Sequence, residues 1–190
     1  MDTKLEICNF SLLLSGAQPL QQLTPENDTR VLGCNTLFDI VLRSESRKHP
    51  WNCLMHRKKI AKDETNPDFG FAYRYPLPSN PYCLRPVKIN DDLSAVWKVE
   101  GRFLLTDETE CEMEYIKWVT NLAELDPIFV EAFGIKLAVY FGKKVTGADE
   151  SVIVDLWKMY KDVIAEARLA DWKESSLDAI QVNTLTRARR

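Results

Sequence analysis

Between Asp126 and Val145 the chain is apolar at nearly every position. Ile128, Phe129, Val130, Ala132, Phe133, Ile135, Leu137, Ala138, Val139, Tyr140 and Phe141 are broken by charge only at Glu131 and Lys136, before Lys143 and Lys144 close the run. Asp126 is placed to cap free amides and Pro127 suits the first helical position, where a missing N–H costs nothing. A helix apolar on almost all sides must be covered on almost all sides, so this stretch is expected to be the core helix. It is too short and too charged for a membrane span, which needs roughly 20 predominantly apolar residues. Gly134 is the weak point, costing about 1 kcal/mol against alanine unless a neighbouring backbone packs close there.

Three other stretches share the helical period. Leu5 to Ser15 places Leu5, Cys8 and Leu12 on one face and stops at Gly16. Thr24-Pro25-Glu26 supplies a cap, a first-position proline and an early acid, and Val31, Cys34, Phe38 and Val41 form the stripe of a second helix that fades near Ser46. Thr146-Gly147-Ala148-Asp149 has the spacing of a capping box. Val152, Leu156, Met159, Val163 and Ala167 follow as a stripe, widened by Ile153, Trp157, Tyr160 and Ile164. That helix should pack antiparallel to the core helix across a short connection.

Between Phe69 and Val119 the period falls to two. Phe71, Tyr73, Tyr75 and Leu77 alternate with Ala72, Arg74 and Pro76, Val87 and Ile89 follow, and Val96 to Val99 lead to a hairpin turn at Glu100-Gly101-Arg102. Pro78-Ser79-Asn80-Pro81 and Asn90-Asp91-Asp92 punctuate these runs. The pattern predicts an antiparallel sheet of three or four strands ending with Met113 to Val119. The expected fold class is α+β, mainly α: a helical bundle with a small antiparallel β insert between an N-terminal and a C-terminal helix pair. One domain is expected over 1–173, with helices in 1–47, the insert in 52–119 and helices in 126–172. An extended C-terminal arm, 174–190, has no clear core face.

Composition narrows the function. The chain has 190 residues, 45% of them hydrophobic, and a net charge of -3, which speaks against a general nucleic-acid coat. From Arg43 to Lys62 the balance is locally positive. That run reads first as a solvated face. Five scattered cysteines without a C-x-x-C pair suit reduced, mostly buried thiols made in a cytoplasm, and no secretory signal is visible. Cys53 and His56 are the one close Cys/His pair, and a zinc site needs a second, so no metal or cofactor is expected. There is no nucleophile elbow and no glycine-rich phosphate loop. Glu112 and Glu114 would share one side of a strand, as solvated acids commonly do. The residues by themselves point to a structural or interaction protein.

Several short stretches occur in a telling order: His49-Pro50-Trp51-Asn52 with Arg57, Phe69-Gly70-Phe71-Ala72-Tyr73, Tyr75-Pro76-Leu77-Pro78, Cys83-Leu84-Arg85, Trp97-Lys98-Val99-Glu100-Gly101-Arg102, Leu105-Thr106-Asp107, Tyr115-Ile116, and Asp126-Pro127-Ile128-Phe129-Val130-Glu131-Ala132. Over roughly Ile7 to Trp172 the set resembles the podovirus tail tubular protein A family, the head-to-tail adaptor of short-tailed phages. The resemblance implies a ring of twelve subunits in the virion tail, assembled in the bacterial host cytoplasm. Such a ring docks under the portal, continues the DNA channel toward a tail nozzle protein and helps seat tail fibres. Duplex DNA would pass through its lumen without specific binding.

A ring subunit uses head-to-tail contacts, which need two complementary faces. The basic segment, represented by Lys58 and Lys59, and the acidic run, represented by Glu112 and Glu114, are the candidate inter-subunit residues. In the arm, Leu177, Ile180, Val182, Leu185, Arg187, Arg189 and Arg190 are the candidate portal-binding residues, folding against the portal on contact. Two rival readings are a tail-associated cell-wall hydrolase working through a carboxylate pair and a DNA-binding module using the basic segment 43–62.

Overall fold

The computed structural model describes residues 3–24, 27–92 and 94–174, with the backbone alone at 143 and 144. The fold is α+β. Helices α1 (Lys4–Leu14) and α2 (Thr29–Lys48) precede six strands: β1 (Met55–Ile60), β2 (Tyr73–Pro76), β3 (Cys83–Ile89), β4 (Trp97–Glu100), β5 (Phe103–Thr106) and β6 (Cys111–Lys117). Helices α3 (Pro127–Phe141) and α4 (Glu150–Glu174) follow.

The run of apolar residues becomes α3, against which α1, α2 and α4 all pack. Asp126 caps it, its carboxylate accepting the N–H groups of Ile128 and Phe129 at 2.8 and 3.1 Å, with Pro127 in the first turn. Phe129, Phe133, Ile135, Leu137 and Phe141 are fully buried, and Phe38 of α2 meets Phe133 edge-on at 5.1 Å. Gly134 owes its place to α1. A methyl group there would lie 2.5 Å from the Phe10 ring, and the Ser11 hydroxyl donates to the Gly134 carbonyl at 2.8 Å. The close neighbour is thus mainly a side chain, not the backbone expected.

The two sheets are each three-stranded and antiparallel, in the orders β1-β6-β3 and β2-β5-β4. One face of each is apolar. Ile60, Cys83, Ile89, Cys111, Met113 and Tyr115 from the first sheet pack with Tyr75 and Leu104 from the second as a separate small core. Ile116 instead joins the helical core, with Met55, Leu84 and Val87 packed against it, so the first sheet is what ties the β segment to the helices.

Several boundaries differ from the sequence expectation. The second helix starts at Thr29, because Asp28 rather than Thr24 caps it, accepting the Arg30 N–H at 2.8 Å; Pro25 and Glu26 lie outside the described residues. Among the described residues six strands stand where three or four were expected. β1 was hidden because Met-His-Arg-Lys-Lys-Ile carries no apolar alternation, its outward residues being matched by charge on β6 instead. The last strand begins at Cys111, two residues before Met113. The core helix stops at Phe141 and a wide π turn, Gly142–Thr146, follows. In that turn the Thr146 hydroxyl donates to the Gly142 carbonyl at 2.7 Å instead of capping α4.

Candidate functional site

The end of α2 is where helices and strands are joined. Pro50 forces its predecessor out of the helical region, and His49 is extended with φ -137 and ψ 145. Trp51 turns inward, 1% exposed, against Phe129 at 4.9 Å. Asp171, near the end of α4, then takes hold of the bend. Its carboxylate meets His49 Nε2 at 3.0 Å and accepts the Asn52 N–H at 2.7 Å, and its carbonyl accepts from Asn52 Nδ2 at 2.6 Å.

A similar lock holds the second sheet. The Arg102 guanidinium donates to the carbonyls of Cys83 and Pro78, both at 2.8 Å, and stacks over Tyr82 at 4.2 Å. Asp107 accepts the Ala72 N–H at 2.8 Å, and the Tyr115 hydroxyl donates to the Pro81 carbonyl at 3.2 Å. Gly101, with φ 57, supplies the positive dihedral that the two-residue hairpin needs at its first central position.

Three of the four predicted inter-subunit residues, Lys59, Glu112 and Glu114, lie on the outer face of the first sheet in one charge ladder. Lys59 stands opposite Glu112, and Arg57 opposite Glu114. Lys59 Nζ reaches Glu110 at 2.6 Å and Glu112 at 3.5 Å, while Arg57 reaches Glu114 at 3.0 Å. Glu110 is held below its ordinary carboxylate range by the Lys59 hydrogen bond, and Lys59 is raised by the same contact. Lys58, on the opposite side of the strand, donates to the Asn80 carbonyl at 3.0 Å. Leu177, Ile180, Val182, Leu185, Arg187, Arg189 and Arg190 lie outside the described residues.

A buried polar knot went unnoticed in the sequence. Glu45 of α2 is 2% exposed, accepts from the Tyr160 hydroxyl at 2.6 Å and pairs with Lys48 at 2.6 Å. Lys136 of α3 lies beside it among the rings of Trp157, Tyr160 and Tyr140, closest to Trp157 at 3.7 Å. Burial lowers the Lys136 ammonium below the usual lysine range, partly offset by the charge of Glu45. Burial and the Glu45 hydrogen bond push the Tyr160 phenol upward. The one signal available was Lys136 itself, a charge in an otherwise apolar helix.

Cys8, Cys34, Cys83 and Cys111 are buried free thiols, and burial pushes Cys83 and Cys111 up to about 11. Among the described residues no group of three or more His, Cys, Asp and Glu is placed to hold a metal ion, and no helix is long and apolar enough to cross a membrane. The geometry defines a scaffold of interlocked helices and sheets. No known family model matches the chain, and no curated protein matches it.

Proposed function

We propose that this chain is the subunit of a head-to-tail adaptor ring in a short-tailed phage, a structural protein that joins the portal to the tail nozzle and continues the DNA channel for genome ejection. The supporting observation is that the stretches carrying the resemblance meet one another in space. Trp51 packs on Phe129, Ala72 bonds Asp107, and Arg102 clasps Pro78 and Cys83. Residues far apart in sequence thus work together as joints of one fold, as motifs set by a shared architecture would. In this reading the helices form a bundle, the β segment is an insert between its two helix pairs, residues 1–173 are one domain, and 174–190 form an arm that reaches the portal.

The basic segment 43–62 fits a structural role better than a DNA grip. Arg57 and Lys59 face carboxylates, Lys48 pairs with Glu45, and Arg43 stacks over Trp118 at 4.7 Å. A lumen that lets the genome pass is served by charges already engaged, since each free phosphate contact adds to the grip. One flank of α4 exposes Val154, Trp157 and Trp172, large apolar side chains suited to a neighbouring subunit.

The test is the native mass of the purified chain, alone and mixed with the portal of the same phage. Assembly into a closed ring on the portal, of about the twelve copies that the resemblance implies, is the expected result. Absence of any complex at every ratio removes the adaptor reading.

A further inference from the structure

Each sheet leaves an outer strand facing the same groove. β3 is an edge of the first sheet and β4 an edge of the second, and their residues, with Arg47 of α2, line a groove of about 650 Å³. Residues 84–87 and 97–99 line it consecutively. Consecutive strand residues point to alternate faces, so a groove touching all of them must run along the strand edge.

The two edges differ. β3 carries Pro86, which has no N–H, and two register shifts, so it offers no regular ladder. β4 is regular. The two-residue turn at Gly101-Arg102 makes Glu100 and Phe103 a hydrogen-bonded pair, and alternation makes Lys98 and Leu105 the next. Trp97 and Val99 therefore direct their N–H and C=O groups away from β5, into the groove, which is the arrangement an added strand requires.

Charge then selects the occupant. Arg47, Arg85, Lys98 and Arg102 line the groove, and no carboxylate does. Arg47 donates to the Leu84 carbonyl and Arg102 to backbone carbonyls, so both remain uncompensated cations. Among the described residues the three guanidiniums form no ion pair, and buried Nε of Arg85 has no hydrogen-bond partner. Lys98 alone is matched, by Glu100 at 2.6 Å. Apolar side chains of Leu84, Val87, Trp97 and Val99 alternate with these cations.

We propose that this groove docks an extended acidic segment of a partner protein, added as a strand along β4 with its carboxylates on Arg47, Arg85 and Arg102. A strand alternating acidic and apolar residues matches both the unpaired edge and the alternating lining. A phosphate backbone would use the cations and leave the edge unpaired. The C-terminal arm of a second copy is the wrong sign, with Glu174 and Asp178 against Arg187, Arg189 and Arg190 and no alternation of acids along it. The site does not depend on ring assembly, and the isolated chain should bind.

The experiment measures fluorescence anisotropy of three labelled probes with the full chain: a peptide of about ten residues alternating glutamate and valine, its lysine counterpart, and a short DNA duplex. The glutamate peptide should bind, with affinity falling steeply between about 50 and about 500 mM salt, and the lysine peptide should not. Arg47→Glu with Arg85→Glu should weaken binding by about tenfold or more. Val99→Pro removes an edge N–H outside the sheet ladder and should weaken it severalfold without changing charge. Far-UV circular dichroism of each variant establishes folding, and Lys98→Glu replaces the arginine pair if that variant unfolds. The proposal is overturned if the glutamate peptide does not bind, if binding ignores both the charge and the proline variants, or if the duplex binds instead and loses affinity on charge reversal.

Discussion

Gly134→Ala should destabilise this protein, against the usual rule for a helix interior. Alanine at an ordinary helical position gains about 1 kcal/mol over glycine. Here its methyl group would lie 2.5 and 2.8 Å from two ring carbons of Phe10, well inside normal van der Waals contact. The ring has little room to retreat, because Phe10 is packed against the helical core and α1 is pinned to this spot by the Ser11 hydroxyl bond to the Gly134 carbonyl. Overpacking of this kind costs about 1–3 kcal/mol, so the net loss should be about 1 kcal/mol. For a domain of this size that lowers Tm by about 2–4 °C.

A double-mutant cycle isolates the cause. With Phe10→Ala already in place, the nearest remaining atom to the new methyl is the Ser11 hydroxyl oxygen at 3.7 Å, an ordinary contact. In that background Gly134→Ala should stabilise by about 1 kcal/mol, since only the propensity gain survives. The sign should therefore reverse, with a coupling of about 2 kcal/mol in urea melts followed by circular dichroism. A gain of about 1 kcal/mol from Gly134→Ala in the otherwise native chain would refute the close approach of α1.

Asp171→Ala removes the carboxylate that holds the bend after α2 and should cost about 2–3 kcal/mol. A loss below about 0.5 kcal/mol in urea melts would show that the joint is held by Trp51 packing alone. Glu45→Gln strips the buried cluster of its anion beside Lys48 and Lys136 and should cost about 3 kcal/mol. Lys136→Met should be near neutral, trading ring contacts for relief of burial. Because the folded-state pKa of Lys136 is lowered, its charge penalises folding at neutral pH, and the penalty fades as pH rises through that value toward the unfolded one. Wild type should therefore gain on Lys136→Met as pH rises from neutral into the ordinary lysine range; a constant or widening deficit in paired melts across that range would contradict the lowered value.

The helices were legible because each buries a stripe, and stripes are written in local spacing. Leu5, Cys8 and Leu12, or Leu156, Tyr160 and Ile164, announce themselves without reference to anything else in the chain. The sheets were less so. β1 is stabilised by charges on β6 more than 50 positions away, and nothing in Arg57-Lys58-Lys59 alone distinguishes a strand from a solvated loop. One helix start was misplaced: Thr24-Pro25-Glu26 read as the cap of the second helix, whereas the Asp28 carboxylate takes the Arg30 N–H and begins it at Thr29. The His49–Trp51 break was readable from proline sterics. Its partner, Asp171, was not, because a single aspartate in an exposed-looking helical turn carries no local mark of a contact across more than a hundred residues.

The charge ladder changes how an inter-subunit contact can be tested. Replacing Lys59 by Glu would set a third carboxylate beside Glu110 and Glu112 of the same chain, so β1 and β6 would be pushed apart before any neighbour was involved. Failed assembly of that variant would say nothing about the interface. Lys59→Glu combined with Glu110→Lys and Glu112→Lys keeps opposite charges across the strands while inverting what this part of the face presents outward. Stability in urea should then stay within about 0.5 kcal/mol of wild type, the range of rearranged surface pairs. If this face meets its complement in a ring, assembly on the portal should fail although the chain is folded. Unchanged assembly of the swapped chain would assign the ladder to holding β1 against β6 and place the subunit contact elsewhere, with the exposed flank of Val154, Trp157 and Trp172 the next surface to disrupt.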